Sequence, residues 1–320
     1  MNNNNNNQYP PLRTPLYVKK SSRKHPKVSI CIPTYNRAAS LHRCLHSLMK
    51  LTYPNVEIIV CDNDSADNTK EIIESFFGVK YICEKQKGVS FARNALLDAC
   101  SEDSEFIGFI DDDETVLPTW VESMLAGFTD ETIATVGGGY YNIYECVLPE
   151  WMPESVYPRN YEPRKGIKTF KKFPGMPGGN GMCRLDVVRR KNVRFDTHIG
   201  RRGYKALSGE DNEFYQQVTE PEFRYAMVYH AWVYHYIPAY RLTFSYIQHL
   251  YFWDSVSEYC HRRKAEKCWL QNGYKLLLHT IECIASLFSF NRKKIVKSYL
   301  KIVRNVGYLY GPIFCWREKR

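Results

Sequence analysis

Four acidic residues in a row, Asp111-Asp112-Asp113-Glu114, follow directly on the apolar run 106–110. Adjacent carboxylates repel one another unless a cation or hydrogen-bond donors compensate. The D-x-D spacing of Asp111 and Asp113 suits a hard divalent ion, Mg²⁺ or Mn²⁺, which uses one or two carboxylates, keeps waters and completes its shell from substrate phosphates. A second acidic pair, Glu210-Asp211, stands further along the chain, followed by His235 and by Arg241, an obligate cation suited to bidentate phosphate contacts. A metal that neutralises a departing phosphate and a separate carboxylate that takes a proton are complementary parts of one displacement. Gly178-Gly179-Asn180-Gly181, preceded by Pro174 and Pro177, reads as a loop that lets backbone approach a ligand closely. His42 and His46 lie four apart but lack the Glu of a zinc-protease motif, so they read as a solvated helix face.

Such groups need a scaffold, and the chain supplies strands alternating with helices. Val28-Ser-Ile-Cys-Ile-Pro33 is a β-branched run ended by Pro33 and Asn36; residues 38–51 then repeat Leu41, Leu45 and Leu48 at helical spacing. Glu57-Ile-Ile-Val-Cys61 stops at Asp62, and residues 67–77 form the next helix, with Ile72, Ile73, Phe76 and Phe77 on one face. Residues 79–83 and 106–110 are two further strands, with a helix over 90–100 between them. This order predicts an α/β fold: a Rossmann-like, mostly parallel sheet covered by helices on both faces. The polar residues collect at strand C-termini, the edge at which open α/β sheets bind ligands.

Read together, these segments resemble one family. Ile32-Pro-Thr-Tyr-Asn-Arg37, Ile59-Val-Cys-Asp-Asn-Asp-Ser-Ala-Asp-Asn-Thr69, Gly88-Val-Ser-Phe-Ala-Arg-Asn94 and Phe109-Ile-Asp-Asp-Asp-Glu114 match, in order and spacing, the nucleotide-sugar half of glycosyltransferase family 2. The likeness continues through Gly178-Gly-Asn180, Gly209-Glu-Asp211 and an H-x-x-P-x-x-R pattern at His235, Pro238 and Arg241, covering about residues 27–250. It implies a GT-A fold and inverting transfer of one sugar from a nucleoside-diphosphate sugar, a UDP-sugar first of all, to a hydroxyl of a glycan or glycolipid. By the same likeness Pro33, Thr34 and Tyr35 line the nucleoside pocket, Asp62 accepts from the base, and Arg93 and Asn94 face base or phosphates. Arg37, Asp112 and Arg241 complete the donor site, Asp111 stands near the ribose, and Asp113 ligates Mn²⁺ or Mg²⁺, with His235 beside metal or diphosphate. Gly179 and Asn180 face the sugar or acceptor, and Asp211, beside Glu210, is the catalytic base. Trp120, Trp151 and the pair Tyr140-Tyr141 could stack on sugar faces, though such aromatics are more often core. The chemistry is consistent on its own terms: an inverting displacement needs one carboxylate for the acceptor proton and charge on the leaving diphosphate. The alternatives are a nucleotidyltransferase, which announces a Gly-rich loop after its first strand where Pro33-Thr-Tyr-Asn stands here, and a sugar-nucleotide-binding module without turnover. The Q-x-x-R-W signature of processive synthases is missing, which points to single-sugar addition.

The formal net charge is +10. Residues 255–320 hold 14 basic and 4 acidic residues, so this tail carries the whole imbalance and residues 1–254 are neutral. Three segments are expected: a disordered extension over 1–26; a GT-A domain over 27–254, with its nucleotide half at 27–130 and its acceptor and catalytic half at 131–254; and a basic amphipathic helical region over 255–320. Lys293, Lys297, Lys301 and Arg304 recur at helical spacing opposite Val296, Tyr299, Leu300, Val303 and Val306. This pattern over 276–310 suits an anionic membrane surface or packing on the catalytic domain. No nucleic-acid motif accompanies the charge. The stretch 276–290 is too short to cross a bilayer, which takes about 20 apolar residues. The 11 cysteines are odd in number and unpaired by spacing, several inside apolar runs (Cys31, Cys61, Cys83), and read as reduced core thiols. These features place the protein in the cytoplasm, peripheral on the cytoplasmic face of the membrane.

Overall fold

The computed structural model describes residues 24–154, 156, 166–262 and 268–318. The first four strands are β1 (Val28–Thr34), β2 (Val56–Asp62), β3 (Val79–Cys83) and β4 (Phe106–Phe109). They run parallel in the order β3-β2-β1-β4, joined by helices α1 (Ala38–Leu48), α2 (Thr69–Glu74) and α3 (Val89–Ala99). Alternation along β1 explains the layering. Ile30 and Ile32 point to one face and pack with Leu41, Leu45 and Leu48 of α1, while Cys31 faces Ile59, Cys61, Ala92 and Leu96 on the other. A strand covered on both sides must be apolar throughout, and every residue of β1 is buried. The outermost strand β3 is covered less, so Cys83 is exposed rather than a core thiol.

Beyond β4 the sheet departs from simple alternation. β5 (Glu114–Val116), β6 (Ile133–Tyr144), β7 (Ile167–Phe170), β8 (Gly181–Arg184) and β9 (Arg224–Ile237) give the order β4-β8-β6-β9-β5, with β7 also on β9. β8 is inserted antiparallel between β4 and β6, and β6 and β9 pair in parallel. Helices α4 (Trp120–Leu125), α5 (Leu185–Arg190) and α6 (Glu210–Thr219) fill the faces. The expected mostly parallel sheet with helices on both sides is what forms. Between the pairs Gly138↔Val228 and Tyr140↔Val233, β9 advances five residues while β6 advances two, a bulge that bends both strands.

Three helices close the chain: α7 (Phe244–Arg262), α8 (Cys268–Leu287) and α9 (Arg292–Glu318). α7 runs through positions 254 and 255 without a break, so the composition shift read as a boundary falls inside a helix. α9 buries Leu300 against Ile237, Leu242 and Ile247, and Phe314 against Leu207, Trp253 and Val256. Its apolar side therefore packs on the end of β9 and on α7, which matches the packing role of the two expected of it. A Cβ on Gly307 would meet Ser255 Oγ at 2.2 Å and the Phe252 carbonyl oxygen at 2.4 Å, so only glycine permits this close crossing of α7 and α9. Cys260 and Cys315 form a disulfide between the same two helices, which corrects the reading of all the thiols as reduced. Nothing in the spacing marks that pair, because the two are 55 residues apart and only packing of α9 brings them together. Among the described residues no helix is long and apolar enough to cross a membrane.

Candidate active site

The loops after β1, β2 and β4 open on one edge of the sheet. Asn36 and Asp64 take left-handed backbone at φ 52° and 59°, and the two loops lock together: Asn36 Oδ1 accepts from Ala66 N at 2.7 Å, and Asn36 N donates to Ser65 Oγ at 2.8 Å. The acidic run leaves β4 at this edge. Thr34 Oγ1 donates to Asp112 at 2.9 Å, and Arg37 Nη1 reaches Asp112 at 2.8 Å and Asp113 at 2.9 Å. Arg241 binds Asp113 from the opposite side at 2.9 Å. β5 carries Glu114 directly across from His235 of β9, which sets the imidazole Nε2 3.7 Å from Asp113 Oδ1.

A second cluster is linked to the first by one side chain. The buried Arg93 of α3 donates to Glu210 at 2.8 Å and to Asp111 at 3.1 Å, with its guanidinium over the Phe195 ring. Glu210 and Asp211 start α6, where Asn212 N donates to Asp211 Oδ1 at 2.7 Å. Asp211 occupies space that exists only because residue 178 is glycine: a Cβ there would lie 1.8 Å from Asp211 Oδ2. Tyr215 Oη donates to the Gly178 carbonyl at 2.9 Å and so fixes this loop on α6. At Gly179 a Cβ would stand 2.5 Å from Glu114 Oε2 and 2.7 Å from Asp111 Cγ. The two glycines let the loop lie directly against both acidic clusters.

Burial governs the electrostatics. It pushes Asp112 up to about 6, Asp113 adding and Arg37 opposing, and it drives Glu114 well above the usual range with help from Asp111 and Asp113. Burial and then Asp211 raise Glu210 to about 7 against Arg93, and burial raises Asp211 too. Burial alone would raise Asp113, but the guanidiniums of Arg241 and Arg37 outweigh it and hold its carboxyl below the ordinary value. Desolvation lowers His235, which stays neutral.

Most of the expected residues line one cleft of about 660 Å³: Pro33, Thr34, Tyr35, Arg37, Arg93, Asp111, Asp112, Asp113, Gly179, Glu210, Asp211, His235 and Arg241. Three do not. Asn94 holds the backbone of Phe195 through both amide atoms, at 2.9 Å each, and does not face a nucleotide. Asn180 is wholly buried: its Nδ2 donates to the carbonyls of Gly139 and Ala231 across the β6–β9 bulge, and its Oδ1 accepts from Trp120 Nε1 at 2.9 Å. It fills the bulge, so the sugar-facing role fails for this residue. Asp62 is buried off the cleft wall, accepting from Ser65 N at 2.9 Å. Arg93 does line the cleft, but its guanidinium is committed to carboxylates. Asn63, inside a recognised motif but given no role there, also lines the cleft, as do Lys87, Asn142, Arg201 and Leu250, which went unnoticed in the sequence. Lys87 adjoins a recognised motif, whereas Asn142, Arg201 and Leu250 carry no local signal. Arg201, exposed at the mouth, forms no ion pair among the described residues.

No group of three His, Cys, Asp or Glu side chains poised for a metal occurs among the described residues. The pair Asp113 and His235 nevertheless fits a divalent ion. His235 Nδ1 lies 3.1 Å from Asn142 Oδ1, and with that proton donated the Nε2 lone pair faces Asp113 Oδ1 with no hydrogen between them. Two acceptors so placed match an ion that takes its other ligands from phosphate and water.

The family model for glycosyl transferase family 2 matches residues 29–190. The succinoglycan biosynthesis protein ExoM of Rhizobium meliloti (strain 1021) is 27% identical over 233 residues, 70% of this chain and 70% of its own. Further curated relatives align with 32–37% of this chain and with between 12% and 45% of their own length. Two solved structures share the fold. S. aureus TarS 1-349 in complex with UDP-GlcNAc has a TM-score of 0.52 at 14% identity, covering 92% of each chain. The mannosyltransferase PcManGT from Pyrobaculum calidifontis, in complex with GDP-Man and Mn²⁺, has a TM-score of 0.55 at 14% identity, covering 96% of this chain and 79% of that one.

Proposed function

This chain belongs to glycosyltransferase family 2 and is a glycosyltransferase, and on that premise we propose that it moves one sugar from a nucleoside-diphosphate donor to a hydroxyl acceptor, with inversion and with Asp211 as the general base. The observation that carries this reading is the position of Asp211: its Oδ2 fills the hole left by Gly178, in the same cleft as the Asp111–Asp113 run and next to Glu210, which Arg93 joins to Asp111. The nucleoside lies along Pro33, Thr34 and Tyr35, with Lys87 over the Tyr35 ring at 4.5 Å as the outer wall. Uridine is the proposed base, in line with the UDP-GlcNAc held by TarS, and a GDP-sugar such as PcManGT holds is the competing donor. Asp113 and His235 would hold Mn²⁺ or Mg²⁺, which when bound supplies positive charge to the departing diphosphate.

Asp211 takes the acceptor proton as the hydroxyl oxygen attacks the anomeric carbon, and the bond from that carbon to the diphosphate oxygen breaks on the opposite face. The raised proton affinity of Asp211 suits this task, since a base with a pKa nearer neutrality accepts a proton more readily. Arg201, which forms no ion pair among the described residues, is placed to meet the charge that develops on the diphosphate. The acceptor is proposed as a glycan or lipid-linked saccharide. Asp211→Asn is expected to lower turnover by about 10²–10⁴-fold while the rise in melting temperature with UDP and Mn²⁺ is kept. A variant with most of its turnover would overturn the assignment.

A further inference from the structure

α8 turns two unlike faces outward and inward. Its inner face meets α9 through polar pairs: Lys301 Nζ donates to Glu282 at 2.7 Å, and His279 Nδ1 pairs with Asn305 Nδ2 at 2.6 Å. Its outer face is an apolar stripe. Tyr274, Leu277, Ile281 and Ile284, continued by Phe288 just past the helix end, recur every three or four residues and are 64%, 59%, 55%, 55% and 80% exposed. Phe290, 91% exposed in the turn that follows, stands next to the exposed Arg292, Lys293 and Lys294. Single exposed apolar side chains are ordinary on a soluble surface, but a continuous stripe five residues long marks an interaction face.

Charge decides what covers it. A second copy of this chain would bring the same cationic turn and the same net +10 tail against this one. Residues 1–23 carry Arg13, Lys19, Lys20 and Arg23 and no acid, so they repel the turn as well. An anionic lipid surface complements both halves, taking the aliphatic stripe below the headgroups, the phenylalanines at the boundary and the Lys and Arg side chains onto phosphates. A helix of 20 residues, about 30 Å long, lies flat on such a surface without crossing it. We propose that α8 and its turn into α9 dock this protein on an anionic phospholipid bilayer. α9, packed between α8 and α7, then ties the docked face to the cleft, whose wall includes Leu250 of α7. The docking does not depend on the sugar-transfer reading.

Flotation of the full chain with phosphatidylcholine vesicles, with and without about 30 mol% phosphatidylglycerol, tests this at about 0.1 M salt. The protein is expected to float with the anionic vesicles and to stay behind with phosphatidylcholine alone. Ile281→Ser with Ile284→Ser, at exposed positions that leave the melting temperature in place, should weaken partitioning about tenfold or more. Lys293→Ala with Lys294→Ala should weaken it about 25-fold, near fivefold for each charge removed. Failure to float with anionic vesicles, or flotation indifferent to both double variants, overturns the proposal. So does a dimer in sedimentation velocity that Ile281→Ser with Ile284→Ser abolishes while no vesicle is bound, because the stripe would then be a contact between copies.

Discussion

Replacing Gly178 by Ala adds one methyl group at the point where the catalytic assignment is most exposed to test. The φ of Gly178 lies outside the left-handed region, so the backbone takes alanine without strain. The obstacle is Asp211, whose Oδ2 stands 1.8 Å from the new Cβ, where ordinary contact begins at 3.4 Å. The carboxylate must retreat by 1.6 Å, the difference of those two distances, and in doing so gives up the 2.7 Å hydrogen bond from Asn212 N. A misplacement of about 1 Å at a reacting group costs about 10²-fold in rate. Turnover at saturating donor should therefore fall by about 10²–10³-fold, equivalent to roughly 3–4 kcal/mol in the barrier. The assay is nucleoside-diphosphate release from whichever nucleotide sugar supports turnover, alongside the thermal shift produced by UDP, which should persist. Gly179→Ala is the companion: its Cβ strikes Glu114 and Asp111 instead, so the donor KM should rise. A Gly178→Ala enzyme within about threefold of the parent kcat would show that Asp211 need not sit where it does, and the base assignment would fail.

Other consequences are open to measurement. Glu210 titrates at about 7 in the folded protein against an ordinary 4.5, so the native state holds the extra proton; its contribution is complete below about pH 4.5 and is lost as pH rises through about 7. Urea midpoints should decline over that window, and Glu210→Gln should flatten the decline; a parent curve already flat there would contradict the burial argument. Asn180→Ala strands the Trp120 Nε1 donor and the carbonyls of Gly139 and Ala231, at about 1–3 kcal/mol for each unpaired group. A loss of roughly 3 kcal/mol in denaturant unfolding is expected, with kcat of the folded enzyme unchanged; full stability with a lost kcat would return Asn180 to the sugar site. Chelation should remove the part of the UDP thermal shift that Mn²⁺ adds, and His235→Ala should shrink that part; a UDP shift indifferent to Mn²⁺ in both proteins would remove the metal from the mechanism.

The nucleotide half was legible because each strand is an apolar run stopped by polar residues, and a parallel strand buried on both faces cannot look otherwise. Thr34, Arg37 and Asp111–Asp113 fall on the site edge by that rule, and the family likeness supplied their roles. The second half was opaque because its order in space is not its order in sequence: β8 threads between β4 and β6, and β9 bulges by three residues. Asn180 was misassigned for that reason. A Gly-Gly-Asn-Gly run looks like a ligand loop, and nothing local reveals that its amide fills a gap between strands far away in sequence. Arg93 was set facing base or phosphates by the family likeness, whereas the fold pairs it with acids. The tail's composition announced a basic region correctly, yet could not show that α7 begins before it or that Cys260 meets Cys315.

Arg93 divides one positive charge between Asp111, more than a third exposed to the cleft, and Glu210, which is buried beside Asp211. A cation shared in this way links two events in time. While Asp111 keeps its portion, the field on the Glu210-Asp211 pair is diluted and that pair clings to protons. On the proposed assignments, a donor that drew Asp111 toward its ribose would leave the whole guanidinium to the second pair, and that pair would then give up a proton more easily. Arrival of the donor would in that way ready the proposed base.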